Sequence, residues 1–454
     1  MAKTKTIFVC RECGAESSKW MGRCNQCGEW NTYVEETIVT KKSTSSSTSS
    51  VGNTVRPMQL SEIEITDVNR TSTCNGELDR VLGGGIVPGA LILIGGEPGI
   101  GKSTLVLQTA LSLPYRRVLY VSGEESAQQI KLRAERIKTT NSDNCMVVSD
   151  TSIDRLKAHI DNCKPDIVVI DSIQTMETER IESLPGSISQ IRECTAILMR
   201  MAKENALPII LIGHINKDGQ LAGPKILEHM VDVVLQFEGD RNHMYRILRG
   251  IKNRFGSTNE IGIFEMLGNG LREVVNPSEM LLNQYSQRLS GISIAAAMEG
   301  LRPFLIEIQA LTSTAAYGTP QRSATGFDLR RLNMLLAVLE KRAGFKLASK
   351  DVFLNIAGGI RVNDTAIDLS VASSILSSNS DIPINPHICL AGEIGLSGEI
   401  RPVTRIEQRI SEAAKLGFGQ IIIPTYSKGI DFSKYDIEVR QVTRLDEAFR
   451  LLFS

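Results

Sequence analysis

The stretch Gly95-Gly96-Glu97-Pro98-Gly99-Ile100-Gly101-Lys102-Ser103-Thr104 follows an apolar run, Ala90-Leu91-Ile92-Leu93-Ile94. Read from Gly96, it satisfies G-x-x-x-x-G-K-[ST], the pattern of a phosphate-binding loop set between a strand and a helix. The glycines let successive backbone N–H groups turn inward on a polyphosphate. A helix from Ser103 to about Leu111 would aim its positive N-terminus at the same charge. This assigns Gly96, Glu97, Pro98, Gly99, Ile100, Gly101, Lys102, Ser103 and Thr104 to nucleotide binding. Lys102 would reach the β and γ phosphates and Ser103 would hold Mg²⁺, so ATP and Mg²⁺ are the expected cofactors here.

Downstream, apolar runs alternate with helical spacing. Arg117-Val118-Leu119-Tyr120-Val121 reads as a buried strand ending at Ser122-Gly123-Glu124-Glu125-Ser126, with a polar helix over about Ala127 to Lys138. Cys145-Met146-Val147-Val148 is a short strand, Asp154 to Cys163 a helix stopped by Pro165, and Asp166-Ile167-Val168-Val169-Ile170-Asp171-Ser172 another strand. Ser189 to Asn205 has long helical spacing, and Pro208-Ile209-Ile210-Leu211-Ile212-Gly213-His214 closes the series. Strands alternating with helices predict an α/β core with a mostly parallel sheet covered on both faces. Ligands of such sheets sit beyond the strands' C-terminal ends. Asp171 is placed there to organise Mg²⁺, and Glu124 to orient the attacking water. Glu125 competes for that role, its other reading being an exposed carboxylate at a helix start. His214 is a candidate γ-phosphate or polynucleotide sensor, or a structural histidine.

At 454 residues the chain is long enough for two or three domains. A hydrophobic fraction of 42% and a charged fraction of 22% fit a soluble globular protein, and no apolar run approaches the ~18 residues of a membrane span. No signal-peptide core follows Met1, so a cytosolic location with no membrane partner is expected. Lys+Arg and Asp+Glu balance at 51 each, so any nucleic-acid site must be a local patch. Of nine cysteines, Cys10, Cys13, Cys24 and Cys27 form two C-x2-C pairs, spaced to hold Zn²⁺ tetrahedrally. Gly14 and Gly28 suit the knuckle after each pair. Trp20, Trp30 and Tyr33 could stack on bases, but the reading favours a small apolar core for the ribbon. From Lys41 a Ser/Thr-rich stretch with nothing to bury reads as a flexible tether.

The segment Lys252-Asn253-Arg254-Phe255-Gly256 sharpens the picture. Downstream of GGEPGIGKST and a four-cysteine ribbon, it resembles the bacterial RadA (Sms) family of recombination and repair ATPases over essentially the whole chain. The resemblance implies a RecA-like P-loop ATPase core that assembles into a hexameric ring. Such rings translocate on single-stranded and branched DNA beside the RecA recombinase, extending branches in recombination, at the nucleoid. Independently of the family, cations two apart on a strand share a face, and Lys252 and Arg254 could complete a neighbour's ATP site as catalytic residues. Arg246 and Arg249 make a solvated basic edge the rival reading. By resemblance the stretches His214 to Pro224 and Lys252 to Gly256 face the channel or the subunit boundary, with Lys217 and Lys225 as DNA-backbone contacts.

After Asn276-Pro277 the pattern changes: an alternating strand from Arg302 to Ala310, a helix from Leu329 to Arg342, a strand from Val352 to Ile356, and a glycine-rich stretch from Ala391 that heads a helix through Leu416. This resembles the α+β proteolytic domain of Lon proteases. Such peptidases need a serine nucleophile and a lysine base. Ala366 stands at the serine's place and Glu407 at the lysine's, with Ser370 nearby, so a retired peptidase is expected. Arg302, Arg322, Arg330 and Arg331 are basic candidates for a DNA surface, with ordinary surface charge the favoured reading of each taken singly. The expected division is a zinc ribbon (1–35), a flexible linker (36–57), an ATPase domain (58–275) and a Lon-like domain (276–454). The leading expectation is a DNA-dependent motor; the rivals are a nucleotide-switched regulatory ring and an ATP-dependent peptidase.

Overall fold

The computed structural model describes residues 4–10, 15–39, 69–137, 143–181, 183–214, 226–239, 245–276, 278, 282, 289–315, 320–425 and 429–453. Packing divides the chain into two units. One comprises Met1–Glu238, Arg246–Thr258 and Phe264–Glu273, the other Gly239–Tyr245, Asn259–Ile263 and Val274–Ser454.

The first unit opens with a three-stranded antiparallel sheet of β1 (Thr4–Cys10), β2 (Glu16–Ser17) and β3 (Tyr33–Val39), in the order β2-β1-β3. Its core is Cys10, Cys24 and Tyr33, with Phe8, Ala15 and Met21 packed around them. Tyr33 is buried as expected, but Trp20 and Trp30 are 55% and 68% exposed. The ribbon fills its small interior with cysteines and one tyrosine, leaving no room for indoles.

Next come α1 (Gly76–Leu82), β4 (Leu91–Gly96), α2 (Lys102–Ser112), β5 (Val118–Ser122), α3 (Ala127–Ile137), β6 (Cys145–Ser149), α4 (Ile153–Cys163) and β7 (Ile167–Asp171). They are followed by α5 (Ile188–Glu204), β8 (Ile209–His214), α6 (Ile226–Met230), β9 (Val233–Glu238), β10 (Tyr245–Asn253), β11 (Ile261–Leu267) and β12 (Gly270–Glu273). The sheet order is β12-β11-β10-β9-β4-β8-β7-β5-β6, parallel from β9 to β6 and antiparallel where β9 meets β10 and β11 meets β12.

Burial on both faces explains the continuous apolar runs. Ile92, Ile94, Val118, Tyr120, Ile210 and Ile212 pack with Leu105, Val106 and Ala110 of α2 and Ile130 of α3. Their alternates Leu91, Leu93, Leu119, Val121, Ile209 and Leu211 pack with Ile153 and Leu156 of α4 and Ile191, Cys194 and Leu198 of α5. Side chains alternate across a strand, so an element covered on both faces must be apolar at every position. Serines set the helix starts: Ser152 accepts from Arg155 N and Ser187 from Gln190 N, capping α4 and α5.

The second unit holds β13 (Ile292–Glu299), β14 (Arg302–Thr314), β15 (Arg322–Thr325), α7 (Leu329–Ala343), β16 (Lys350–Ile356) and α8 (Asp368–Ser380). It continues with β17 (Ile388–Leu390), β18 (Glu393–Ile394), β19 (Ile400–Arg401), α9 (Ile406–Lys415), β20 (Gln420–Pro424), β21 (Glu438–Val442) and α10 (Leu445–Phe453). A mixed sheet, β15-β16-β14-β13-β17-β20-β21, gives the α+β, Lon-like architecture expected. Ala366 is fully buried. Glu407 is half exposed and accepts from Lys434 Nζ at 2.7 Å. Ser370 is buried in α8 and donates to Ile294 O.

Two of the four arginines named as candidates for a DNA surface are committed internally, not to ordinary surface charge. Arg302 is buried and donates to the carbonyls of Val274 and Val275. Arg331 forks onto both oxygens of the buried Asp368. Arg322 is half-buried and donates to Asn333, while Arg330 is exposed. A basic residue's sequence position does not reveal which carbonyl or carboxylate claims it.

Candidate active site

The loop between β4 and α2 has the shape its glycines dictate. Gly99 and Gly101 have φ of 78° and 117°, in the left-handed region that favours glycine. A Cβ on Gly101 would lie 2.6 Å from Met266 Cε and would have to push that side chain aside as well as adopt the strained φ, whereas one on Gly99 would meet nothing within 4 Å. The loop is tight beneath and open above, which fits a polyphosphate. Arg246, read from the sequence as part of a basic edge, is buried and donates from Nε to Ile100 O at 3.2 Å, propping the loop from below.

Lys102 is buried at the start of α2, its Nζ donating to Gly96 O (2.8 Å) and Glu97 O (2.9 Å). Burial lowers its pKa to about 8, against the pull of Asp171 and Glu124. His214, the last residue of β8, lies level with Gly96. Its Nδ1 is 3.3 Å from Lys102 Nζ and its Nε2 3.1 Å from Glu124 Oε1, so one imidazole spans the lysine and the carboxylate. Ser172 Oγ donates to the same carboxylate. Burial works to raise the Glu124 carboxyl, but Ser172, His214 and Lys102 together hold it below the usual range. Glu124 is therefore poised as an ionised acceptor.

Asp171 is buried at the end of β7, and Oδ2 accepts from Tyr120 OH at 2.6 Å. Burial and this carboxylate push the Tyr120 phenol well above its ordinary value, so it stays a donor. Asp171 and the Ser103 hydroxyl are hard oxygen donors, chemistry that suits Mg²⁺. Glu125, the rival to Glu124, instead pairs with Arg133 of α3. A cavity of about 360 Å³ beside Glu124, lined by Ser122, Glu125, Ser149, Asp150 and Arg155, gives the carboxylate access to water.

Lys252 and Arg254 do come together, though not at the loop. Lys252 Nζ donates to the carbonyls of Glu228, His229 and Val231 at 2.7, 3.1 and 2.7 Å, capping α6. Burial, then the neighbouring Arg254 charge, lowers its pKa. Arg254 lies just past β10, is half exposed, and reaches Asp232 Oδ1 at 3.5 Å. Asp232 also accepts from Leu91 N and Lys203 Nζ, which fixes this cluster at the first residue of β4. The loop begins at Gly96, the other end of that strand, roughly 17 Å away at about 3.3 Å per residue. A subunit's Arg254 and its own phosphate loop thus sit at opposite ends of the sheet.

In the ribbon, the sulfurs of Cys10, Cys24 and Cys27 lie within 4.8 Å of one another, Cys10 and Cys27 at 3.7 Å. Two sulfurs of a tetrahedral site with about 2.3 Å bonds are separated by roughly 3.8 Å, so the cluster fits a bound metal. Gly28, at φ 79°, turns the knuckle. Cys13, Gly14, Lys217 and Lys225 lie outside the described residues. Sequence reasoning missed Tyr120 and Ser172, one inside an apolar run and the other a small residue after a conspicuous aspartate. Only the pairing of β5 with β7 brings both to the site.

Comparison with known proteins follows the same division. Residues 56–220 match the family model described as AAA domain, residues 8–35 that described as Rubredoxin metal binding domain, and residues 311–427 that described as Subunit ChlI of Mg-chelatase. Over 456 residues the chain is 51% identical to the DNA repair protein RadA of Bacillus subtilis (strain 168), covering 99% of both. It is 50% identical over 451 residues to the DNA repair protein RadA of Listeria monocytogenes, covering 99% of this chain and 98% of that one. A solved structure, of the RadB recombinase, aligns with 45% of this chain and 99% of its own at 23% identity and a TM-score of 0.36.

Proposed function

The chain belongs to the RadA family of DNA repair proteins, and from that premise we propose that it is a DNA-dependent ATPase acting as a ring-shaped motor on recombination intermediates. The observation that carries this reading is the separation of Arg254 from its own phosphate loop along β4. A cation at the far end of the sheet can complete an active site only on another copy, which a closed ring supplies in turn. Within one subunit, the loop N–H groups and Lys102 bind the polyphosphate, and Ser103 and Asp171 hold Mg²⁺, which supplies charge neutralisation when bound. Glu124, kept ionised by Ser172 and His214, orients the attacking water. The neighbour's Lys252 and Arg254 meet the charge developing in the transition state. Single-stranded and branched DNA are the substrates, held through phosphates with steep salt dependence, and RecA is the expected partner.

In this reading residues 1–35 form a zinc ribbon held by Cys10, Cys13, Cys24 and Cys27, and 36–57 a linker. Residues 58–275 are the motor domain and 276–454 a Lon-like domain without peptidase activity, the assembly working in the cytoplasm at the nucleoid. One observation favours a second reading: Lys252 is fully engaged by carbonyls of its own subunit. A nucleotide-switched ring without motor activity would keep it there.

ATP hydrolysis with and without single-stranded DNA decides between them. The motor reading expects strong stimulation, lost in Lys102→Ala and Arg254→Ala alike. Hydrolysis indifferent to DNA would overturn it in favour of the switch.

A further inference from the structure

The ribbon carries both tryptophans of the chain, and neither serves its interior. A Cβ placed on Gly22 would lie 3.8 Å from Trp30 Cζ3 and 3.9 Å from Trp20 Cη2, so the benzo edges of both rings converge on a bare α-carbon. Arg23 stands opposite Trp30 in an antiparallel bridge, its guanidinium 5.8 Å from the indole centre and its Nε donating to Gly28 O at 2.8 Å. Lys19, exposed, precedes Trp20. Glu29 bonds across to the inward-facing Cys24 and so alternates to the other face of the hairpin. The outer face thus presents two open aromatic rings, with the Arg23 guanidinium beside Trp30 and the exposed Lys19 next to Trp20 in the chain.

Exposed tryptophans set side by side expose apolar area that a ribbon with so small a core would otherwise bury. The flanking cations select the occupant. A peptide's apolar side chains gain nothing from Lys19 and Arg23, whereas an unpaired nucleotide offers a π-face to the indoles and a phosphate to the cations. We propose that Trp20 and Trp30 form a stacking platform on which the ribbon holds unpaired bases of single-stranded DNA, with Lys19 and Arg23 on the adjoining phosphates. This rests on the reading of the chain as a single-strand-dependent ATPase and adds a place where bases are gripped. Duplex DNA, with its bases stacked inside, does not fit the platform.

Because no other tryptophan exists in the chain, indole emission of the full-length, zinc-loaded protein reports on this site alone. Titration with an oligo-dT strand should quench it with the midpoint seen by anisotropy of the same strand carrying a dye, and blunt duplex should leave it unchanged. Trp20→Ala and Trp30→Ala should each weaken oligo-dT binding about fivefold or more, at unchanged zinc content. Oligo-dT binding with unaltered emission, or with full affinity in both variants, would overturn the platform and leave the ATPase reading standing. If the wild-type protein binds no oligo-dT at all, that reading falls and the platform with it.

Discussion

His214 shows how much chemistry one side chain can join. Its two nitrogens lie on Lys102 and Glu124, so the end of β8 touches both the cation proposed to bind phosphate and the carboxylate proposed to orient water. Sequence alone gathered all three beyond the C-terminal ends of the strands but did not pair them, since they lie at the start of α2, after β5 and at the end of β8. Adjacent Glu124 and Glu125 were likewise inseparable by type; only Arg133, two turns along α3, takes Glu125 out of contention. The Lys102 ammonium carries a testable signature. Its pKa falls to about 8 on burial, below its value in the unfolded chain, so the charged form destabilises the nucleotide-free protein. That destabilisation is complete below pH 8 and fades as pH rises from there toward the ordinary lysine value, so this group's term makes stability rise with pH across that window. A bound polyphosphate restores the charge. ATP binding followed by calorimetry in buffers of differing ionisation enthalpy should therefore show uptake of about half a proton per site at pH 8 and about a tenth at pH 7.

Among elements, the five-residue α6 is held in an unusual way. The last carbonyls of a helix have no partners of their own, and here a lysine from β10 satisfies those at and just after its end. Lys252→Met would strand them, costing about 1–3 kcal/mol, whereas Arg254→Ala removes a half-exposed pair and should cost under about 1 kcal/mol. Urea midpoints would separate the two variants even if both lose hydrolysis. The parallel core was legible because double-sided burial writes itself as unbroken Val/Ile/Leu runs, as in Ile167–Asp171. The antiparallel extension through β10 to β12 was not. Its strands carry arginines and glycines whose partners lie in other elements, as Arg246 does under the phosphate loop.

At the scale of the whole molecule, the proposed reading takes the polarity of the first unit's sheet to leave a lone copy incomplete, with Arg254 and the phosphate loop at opposite ends of β4. Lys102→Ala and Arg254→Ala proteins, each inactive alone, should recover activity when mixed and reassembled. One kind of junction then pairs an intact loop with an intact arginine, and random equal mixing should restore about a quarter of the wild-type rate. Absence of recovery would overturn the reading of an active site shared between two copies. The second unit has a different history to tell. Its Arg409, two residues from Glu407, is fully buried and donates to Asp364, itself two residues from Ala366, and to the carbonyls of Ala296 and Thr404. A serine placed at 366 would face the interior, and the nearby Asp364, whose other partners are the backbone N–H groups of Met298 and Ala366, depends on the buried Arg409 guanidinium to balance its charge. On the proposed reading of this unit as a Lon-like domain without peptidase activity, a nucleophile at 366 would therefore be walled in by the packing that holds the unit together.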